Sequence, residues 1–169
     1  METLKKNQTY TAVIDGYGSQ AQGVCHIGGR AVFVPRALPG ESWEVKILKV
    51  TNTAVYARGE KLLLPSPGRR EPDCQWFGLC GGCDCRHMSY EEELRFKLQR
   101  VNDALERIGK QSLKAERILG SGSLSRYRNK GIFAFAQTGA GARYGFYRER
   151  SHQLIPVESC LIQNELTER

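Results

Sequence analysis

The sequence has no run of about 18 apolar residues, the length a membrane-spanning helix needs. Its first residues, Met1-Glu2-Thr3-Leu4-Lys5-Lys6, are followed by no apolar stretch, so no secretory signal is expected and the cytoplasm is the expected compartment. Internal repeats and low-complexity tracts are missing, which argues against a solenoid or a disordered tail. So is any strand, Gly-rich loop and helix in succession of the kind that cradles a nucleotide cofactor. Of the two paired knuckles that structural zinc usually takes, only one is present.

What is present is positive charge, unevenly spread over 169 residues with a net charge of +7. Residues 1–72 carry ten basic and six acidic groups, residues 73–120 eight of each, and residues 121–169 seven and four. Two basic regions flank a neutral middle, a pattern that suits a polyanion such as RNA as well as a merely basic soluble protein.

Residues 8–63 read as all-β. Tyr10–Ile14, Gly23–Ile27, Ala31–Val34, Trp43–Ile47 and Thr53–Leu63 are the expected strands, and Gly28-Gly29 is a hairpin turn of the type that tolerates positive φ. Asp15–Gly18 and Pro39-Gly40 read as further turns. Alternation slips at Leu48, which suggests a bulge or barrel corner. Five short strands with Gly-rich turns predict a small closed barrel of the OB type over residues 1–64. Residues 65–73 contain three prolines with their flank at Leu64 and predict a linker.

Residues 74–169 predict a small α+β domain with a metal-cluster loop. Ser89 and Glu92 have capping-box spacing, three glutamates follow in the first turn, and Leu94, Leu98, Val101, Leu105 and Ile108 form an apolar stripe expected to be core. Gly109 is placed to end this helix. Arg117–Leu119, Arg126–Gln137, Ala142–Tyr147 and His152–Val157 are the expected strands beyond it. This region interleaves Arg126, Arg128, Lys130, Arg143, Tyr144, Arg148 and Arg150 with further aromatics. Such a set can pair with phosphates and stack on unpaired bases, or its charges can be the solvated face of a sheet; most of Phe133, Phe135 and Phe146 are expected in the core on either reading.

Four of the six cysteines fall between positions 74 and 85. In a reducing compartment such a cluster points to metal rather than disulfides. Cys74-x5-Cys80-Gly-Gly-Cys83 offers three thiolates from one loop, and the two glycines let the backbone bend closely around a metal. The fourth ligand could be Cys85, His87, Cys160 or Cys25. A 4Fe–4S cubane accepts three cysteines from one loop and a distant fourth, which suits Cys160. A zinc site remains the alternative, as does Cys160 as a small buried apolar residue.

In order along the chain, Gly16-Tyr17-Gly18 with Gly23-Val24, the cysteine loop, Ser89-Tyr90, Tyr127-Arg128-Asn129-Lys130, Gly145-Phe146-Tyr147, Arg150-Ser151-His152 and Cys160 resemble bacterial RNA uracil-5-methyltransferases. The barrel resembles a TRAM domain, an OB-like RNA-binding module. The resemblance spans roughly residues 6–163 and implies S-adenosylmethionine-dependent methylation of a uridine in ribosomal or transfer RNA, with 23S rRNA the expected target. It implies that Cys74, Cys80, Cys83 and Cys160 hold a structural 4Fe–4S cluster, leaving Cys25 and Cys85 over. The family also needs a cysteine nucleophile, a base and a Rossmann-like domain for S-adenosylmethionine. None is found here, so the expectation is a fragment that binds a cluster and RNA but does not methylate by itself. The chief alternative is a zinc-stapled RNA-binding module with no enzymatic role. A radical S-adenosylmethionine enzyme is disfavoured by the C-x5-C-x2-C spacing, and an electron-transfer protein by the basic barrel.

Overall fold

The computed structural model describes residues 4–139, 141–149 and 151–167. The chain divides into two compact units. One holds residues up to Glu71 together with His87–Ile118; the other holds Pro72–Arg86 and residues from Leu119 onward.

The first unit is built on a mixed six-stranded sheet. Its strands are β1 (Thr9–Val13), β2 (Gly16–Tyr17), β3 (Gly23–Ile27), β4 (Arg30–Val34), β5 (Ser42–Val50) and β6 (Val55–Leu64), in the order β1-β5-β6-β4-β3-β2. All neighbours are antiparallel except β4 and β6. The stretch expected as a turn at 15–18 contributes the extra strand β2. It brings the two ends of the sheet together. Ile14 bonds through its backbone to Glu41 and Gly40 beside β5, while Asp15 donates to Val24 in β3. One continuous segment therefore serves both edges, the device by which a small barrel removes its exposed backbone groups.

Alternation decides what lies inside. Val45 and Ile47 are buried while Leu48 and Lys49 are exposed, and the β5–β6 register shifts between Ile47 and Lys49. The expected slip at Leu48 is thus a bulge that turns the strand. Gly28 and Gly29 have φ of 58° and 78°, the left-handed pair that a two-residue hairpin requires. Ile14, Cys25, Val32, Val34, Val45, Ile47 and Val55 fill one core.

Helix α1 (Tyr90–Asp103) belongs to this first unit, whereas the sequence grouped it with residues 74–169. The reason is local pairing: Arg70 donates to the His87 carbonyl and Ser89 to the Gly68 carbonyl, so the linker and the start of the helix are held to each other. Ser89 caps the helix, its hydroxyl accepting from the Glu92 N–H at 3.2 Å. The reciprocal half of the capping box is absent. The Glu92 carboxylate is buried and accepts instead from the Tyr17 hydroxyl at 2.6 Å and from Arg95. Phe96, one turn on, meets the Tyr17 ring edge-on at 5.1 Å. The buried side of the helix is therefore Glu92–Phe96, not the apolar stripe: Val101 is exposed and Ile108 is 82% exposed. The helix runs on into a π-turn at Ala104–Ile108. Gly109 stands at its end as expected, but Lys110 takes the left-handed conformation.

Tyr17→Phe removes the hydroxyl that Glu92 accepts from inside the fold. Loss of a hydrogen bond to a buried charged group costs about 1.5–3 kcal/mol. Urea unfolding is expected to show that loss, and Glu92→Gln combined with Tyr17→Phe should cost less than the two single changes added together.

The second unit carries a three-stranded antiparallel sheet, β7 (Ala134–Thr138), β8 (Gly141–Tyr147) and β9 (Leu154–Pro156). One expected strand is missing among the described residues and another is cut short. Residues 117–119 are irregular, and the run from 126 enters a strand only at Ala134. Arg126 has a φ of 58°, which ends any extended run there. The backbone from 126 to 128 pairs instead with the far end of the chain: Arg126 donates to Leu161, Arg128 to Ile162, and Asn164 to Arg128.

Candidate functional site

The cysteine loop is wound by its own backbone. Phe77 donates to the Cys74 carbonyl, Leu79 and Cys80 both donate to Trp76, and Gly78 has a φ of 82°. Gly81 then bonds to the Tyr147 carbonyl at the end of β8. A side chain at Gly82 would begin 3.3 Å from the Cys80 sulfur, and the Gly82 N–H bonds toward that same thiol. Gly82 thus brings backbone against sulfur, while Gly81 lies against the backbone of Tyr147 and Glu149.

Cys160 sits on a second tight segment. The Gln163 N–H donates to its carbonyl at 3.1 Å, and the Arg126 guanidinium donates to the same carbonyl at 3.1 Å, to the Gln163 carbonyl and to the Ser159 hydroxyl. The two segments meet around a cavity of about 40 Å³ lined by Cys74, Cys80, Cys83 and Cys160, with Trp76, Phe77, Phe146 and Ile162 supplying apolar wall. All four thiols named from the sequence are therefore brought together within one unit. Cys85 and His87 do not line the cavity, and Cys25 is fully buried in the barrel, its thiol directed at the Val32 carbonyl.

Among the described residues no three His, Cys, Asp or Glu side chains converge on one point at single-ion distance. Four sulfurs on one zinc, each at 2.3 Å, would stand about 3.8 Å apart. The expected metal loop is thus present as a thiol-lined cavity and not as a closed ligand set. Burial pushes the Cys80 thiol up and the Cys83 thiol up to about 11, the Arg86 guanidinium opposing the effect at Cys83. Arg86 is itself held by Asp73 through two hydrogen bonds, at 2.7 and 2.9 Å. The Arg86 and Arg128 cations thus share the wall with the thiols, and uptake of a metal there must displace thiol protons.

His87, one of the candidate fourth ligands, is buried at the entry to the helix; burial first, and then Arg69, hold its ring down to about 4, so it is neutral at physiological pH.

The seven residues expected to face RNA do not form one uniform stripe. Arg126 donates to the Cys160 segment, as described, and so helps to hold the thiol site together. Arg128 and Lys130 are exposed on the irregular run, Arg128 also lining the thiol cavity. Arg143 and Tyr144 are neighbours in β8, so they point to opposite sides of the sheet. Tyr144 packs on Phe133 and Phe135. Arg148 is exposed beside β8 and borders an open cleft with Gly81, Gly82, Tyr147 and His152. Arg150 lies outside the described residues. Phe135, expected in the core, is 77% exposed, while Phe133 and Phe146 pack together with ring centres 5.0 Å apart. Phe135 and Tyr127 are exposed aromatic rings, which alternation alone could not single out.

Residues 4–62 match the TRAM domain. Over 98% of its length the chain is 39% identical to an uncharacterized RNA methyltransferase of Clostridium tetani. It is 39% identical over 96% to one of Halalkalibacterium halodurans, and 39% identical over its whole length to one of Caldanaerobacter subterraneus. It spans only 36%, 36% and 37% of those proteins. Among solved structures, a Pyrococcus abyssi tRNA (uracil-54, C5)-methyltransferase in complex with S-adenosyl-L-homocysteine matches 94% of the chain and 34% of its own, with a TM-score of 0.60 at 23% identity. At that identity the likeness is one of fold. The chain thus carries a TRAM domain and is similar over nearly its whole length to proteins named RNA methyltransferases, of which it spans about a third of the length.

Proposed function

We propose that this chain is the RNA-binding and cluster-bearing portion of an S-adenosylmethionine-dependent RNA uracil-5-methyltransferase acting on 23S rRNA. The observation that carries the cluster is the convergence of Cys74, Cys80, Cys83 and Cys160 on one cavity from two separate segments. The set is all-thiol, it surrounds a space instead of closing on a point, and the Arg86 cation beside it would offset the charge of a thiolate-bound cluster. These features favour a 4Fe–4S cluster over a single zinc ion.

Such a cluster, bound by these four cysteines, would tie the 74–83 loop to the end of the chain without taking part in methyl transfer. The second unit has need of a tie. Among its described residues only Ile155, Val157 and Ile162 are buried apolar side chains, and a core that small seldom holds a unit together without a covalent or metal staple. Methylation at a uracil carbon moves no net electrons to the protein, so the cluster's work is to hold Arg128, Lys130 and the β7–β8 aromatics in register for RNA.

Two measurements test the proposal. The chain, purified without oxygen, should contain about four irons and four acid-labile sulfides, and the full-length protein should transfer a methyl group to carbon 5 of a uridine in 23S rRNA in preference to tRNA. Zinc without sulfide would replace the cluster with a zinc staple, and methylation confined to tRNA would move the target.

RNA binding has its own expected signature. Replacing Arg128 and Lys130 by alanine should weaken binding to single-stranded rRNA segments similarly across sequences. It should also flatten the dependence of log K on log salt by about 0.7 for each phosphate contact removed. An unchanged slope in filter-binding titrations would place the phosphate contacts elsewhere.

A further inference from the structure

Gln163 is fully buried, and neither its side-chain nitrogen nor its side-chain oxygen has a hydrogen-bond partner in the protein. A buried carboxamide left in that state costs about 1–3 kcal/mol, and such groups are rare in folded proteins. This one also lines the thiol cavity, in company with Cys74, Cys80, Cys83 and Cys160. Its backbone is tied down on both sides, its N–H donating to the Cys160 carbonyl and its own carbonyl accepting from Arg126. The amide cannot leave without dismantling the segment that presents Cys160.

Room for it is kept deliberately. A side chain at Gly131 would begin 3.1 Å from the Gln163 amide oxygen and 2.8 Å from the Phe133 ring. Glycine at 131 therefore leaves a slot that the carboxamide fills. An apolar residue at 163 would fill that slot at lower desolvation cost, so the polar end has a use that the protein alone does not supply.

We propose that the Gln163 carboxamide is a positioning residue for the cluster, its N–H donating to sulfur, either a cluster sulfide or a cysteine thiolate. This inference rests on the cluster reading given above and adds to it a named donor. Sulfur in an iron–sulfur cluster carries negative charge that increases on reduction, so a fixed N–H dipole favours the reduced form, and hydrogen bonds to the sulfurs are among the factors that set cluster potential. No electron transfer in catalysis is required for the effect to be measured.

The test compares the wild-type chain with Gln163→Met and Gln163→Glu, all purified without oxygen. Methionine keeps length and volume but has no donor; glutamate keeps shape but presents acceptor oxygens and a charge. Iron and sulfide content, circular dichroism and the reduction midpoint from a dye-mediated titration are read for each. With cluster content retained, Gln163→Met should shift the reduction equilibrium about tenfold toward the oxidised form, which is about 59 mV more negative for a one-electron couple, and Gln163→Glu should shift it further. Gln163→Asn, which restores a donor on a shorter arm, should recover part of the shift. Equal midpoints in cluster-loaded wild type and Gln163→Met would overturn the inference and leave the cluster reading standing. A wild-type chain without iron and sulfide would overturn both. If Gln163→Met fails to fold, the Gln163→Glu and Gln163→Asn midpoints decide: identity of both with wild type overturns the inference.

Discussion

Replacing Cys160 by serine is expected to reduce iron and acid-labile sulfide from about four of each per chain to near zero, while Cys85→Ser leaves both unchanged. Three of the four thiols come from a single loop, so that loop alone cannot enclose a cluster. The fourth comes from a segment fixed by Arg126 and by the Gln163 N–H. Serine preserves the backbone and those bonds but removes the soft ligand. The loss should spread beyond the metal, because binding energy of a structural site is folding energy. In the second unit the variant should expose the region from Leu119 onward to protease, whereas the barrel, with its separate apolar core, should resist as in wild type. Iron and sulfide assays, zinc determination and limited proteolysis read all of this from one preparation. A variant that keeps its iron and sulfide would remove Cys160 from the ligand set. One equivalent of zinc in the wild type, without sulfide, would replace the cluster altogether.

How far this could be read from the residues differs between the two units. In the barrel, strand positions followed alternation, and the Gly28-Gly29 hairpin and the bulge at Leu48 were legible because turn chemistry and period-2 burial are local. Gly16-Tyr17 was read as a turn because two residues are too few for alternation to register; its pairing with Gly23-Val24 is a tertiary fact. The helix was legible, with its cap at Ser89, but its buried side was not. Hydrophobicity favoured Leu94–Ile108, while the fold buries Glu92 because Tyr17, distant in sequence, offers it a hydroxyl. Spacing and resemblance named the four thiols that share the cavity, since cysteine clustering survives any uncertainty about strands. The structural tie made by Arg126 was not legible, because its positive φ and its three acceptors near Cys160 are tertiary facts. Gln163 carried no sequence signal, because burial of a polar side chain cannot be read from a one-residue pattern.

Glu41→Gln is expected to cost about 3–5 kcal/mol of stability. Glu41 is fully buried where β5 begins. One carboxylate oxygen accepts from the Leu38 N–H at 2.9 Å, the Trp43 indole N–H at 2.7 Å and an Arg69 nitrogen at 2.9 Å; the other accepts from the Ser66 N–H and from Arg69 Nε. Arg69 in turn lies over the Trp43 ring at 5.5 Å and donates to the Arg36 carbonyl. The carboxylate thus joins the 36–43 turn to the 66–69 segment and neutralises the guanidinium between them. Glutamine would turn an NH₂ toward donors and leave Arg69 without its counter-ion, which is why a nearly isosteric change should be so costly. Burial by itself would raise the proton affinity of Glu41, but the donors from Arg69, Leu38 and Trp43 outweigh it, and the group is held below its ordinary carboxylate value. A carboxyl that binds its proton less tightly folded than unfolded contributes its full stability above the ordinary carboxylate range. That contribution declines as pH falls through that range toward the folded value. Urea unfolding of wild type should therefore lose stability on acidification from about pH 5 downward, and Glu41→Gln should show a shallower decline from a lower plateau. A variant within 1 kcal/mol of wild type at neutral pH, or one with an unchanged acid limb, would mean that Arg69 finds water in place of Glu41 and that the pair does not hold the two segments together.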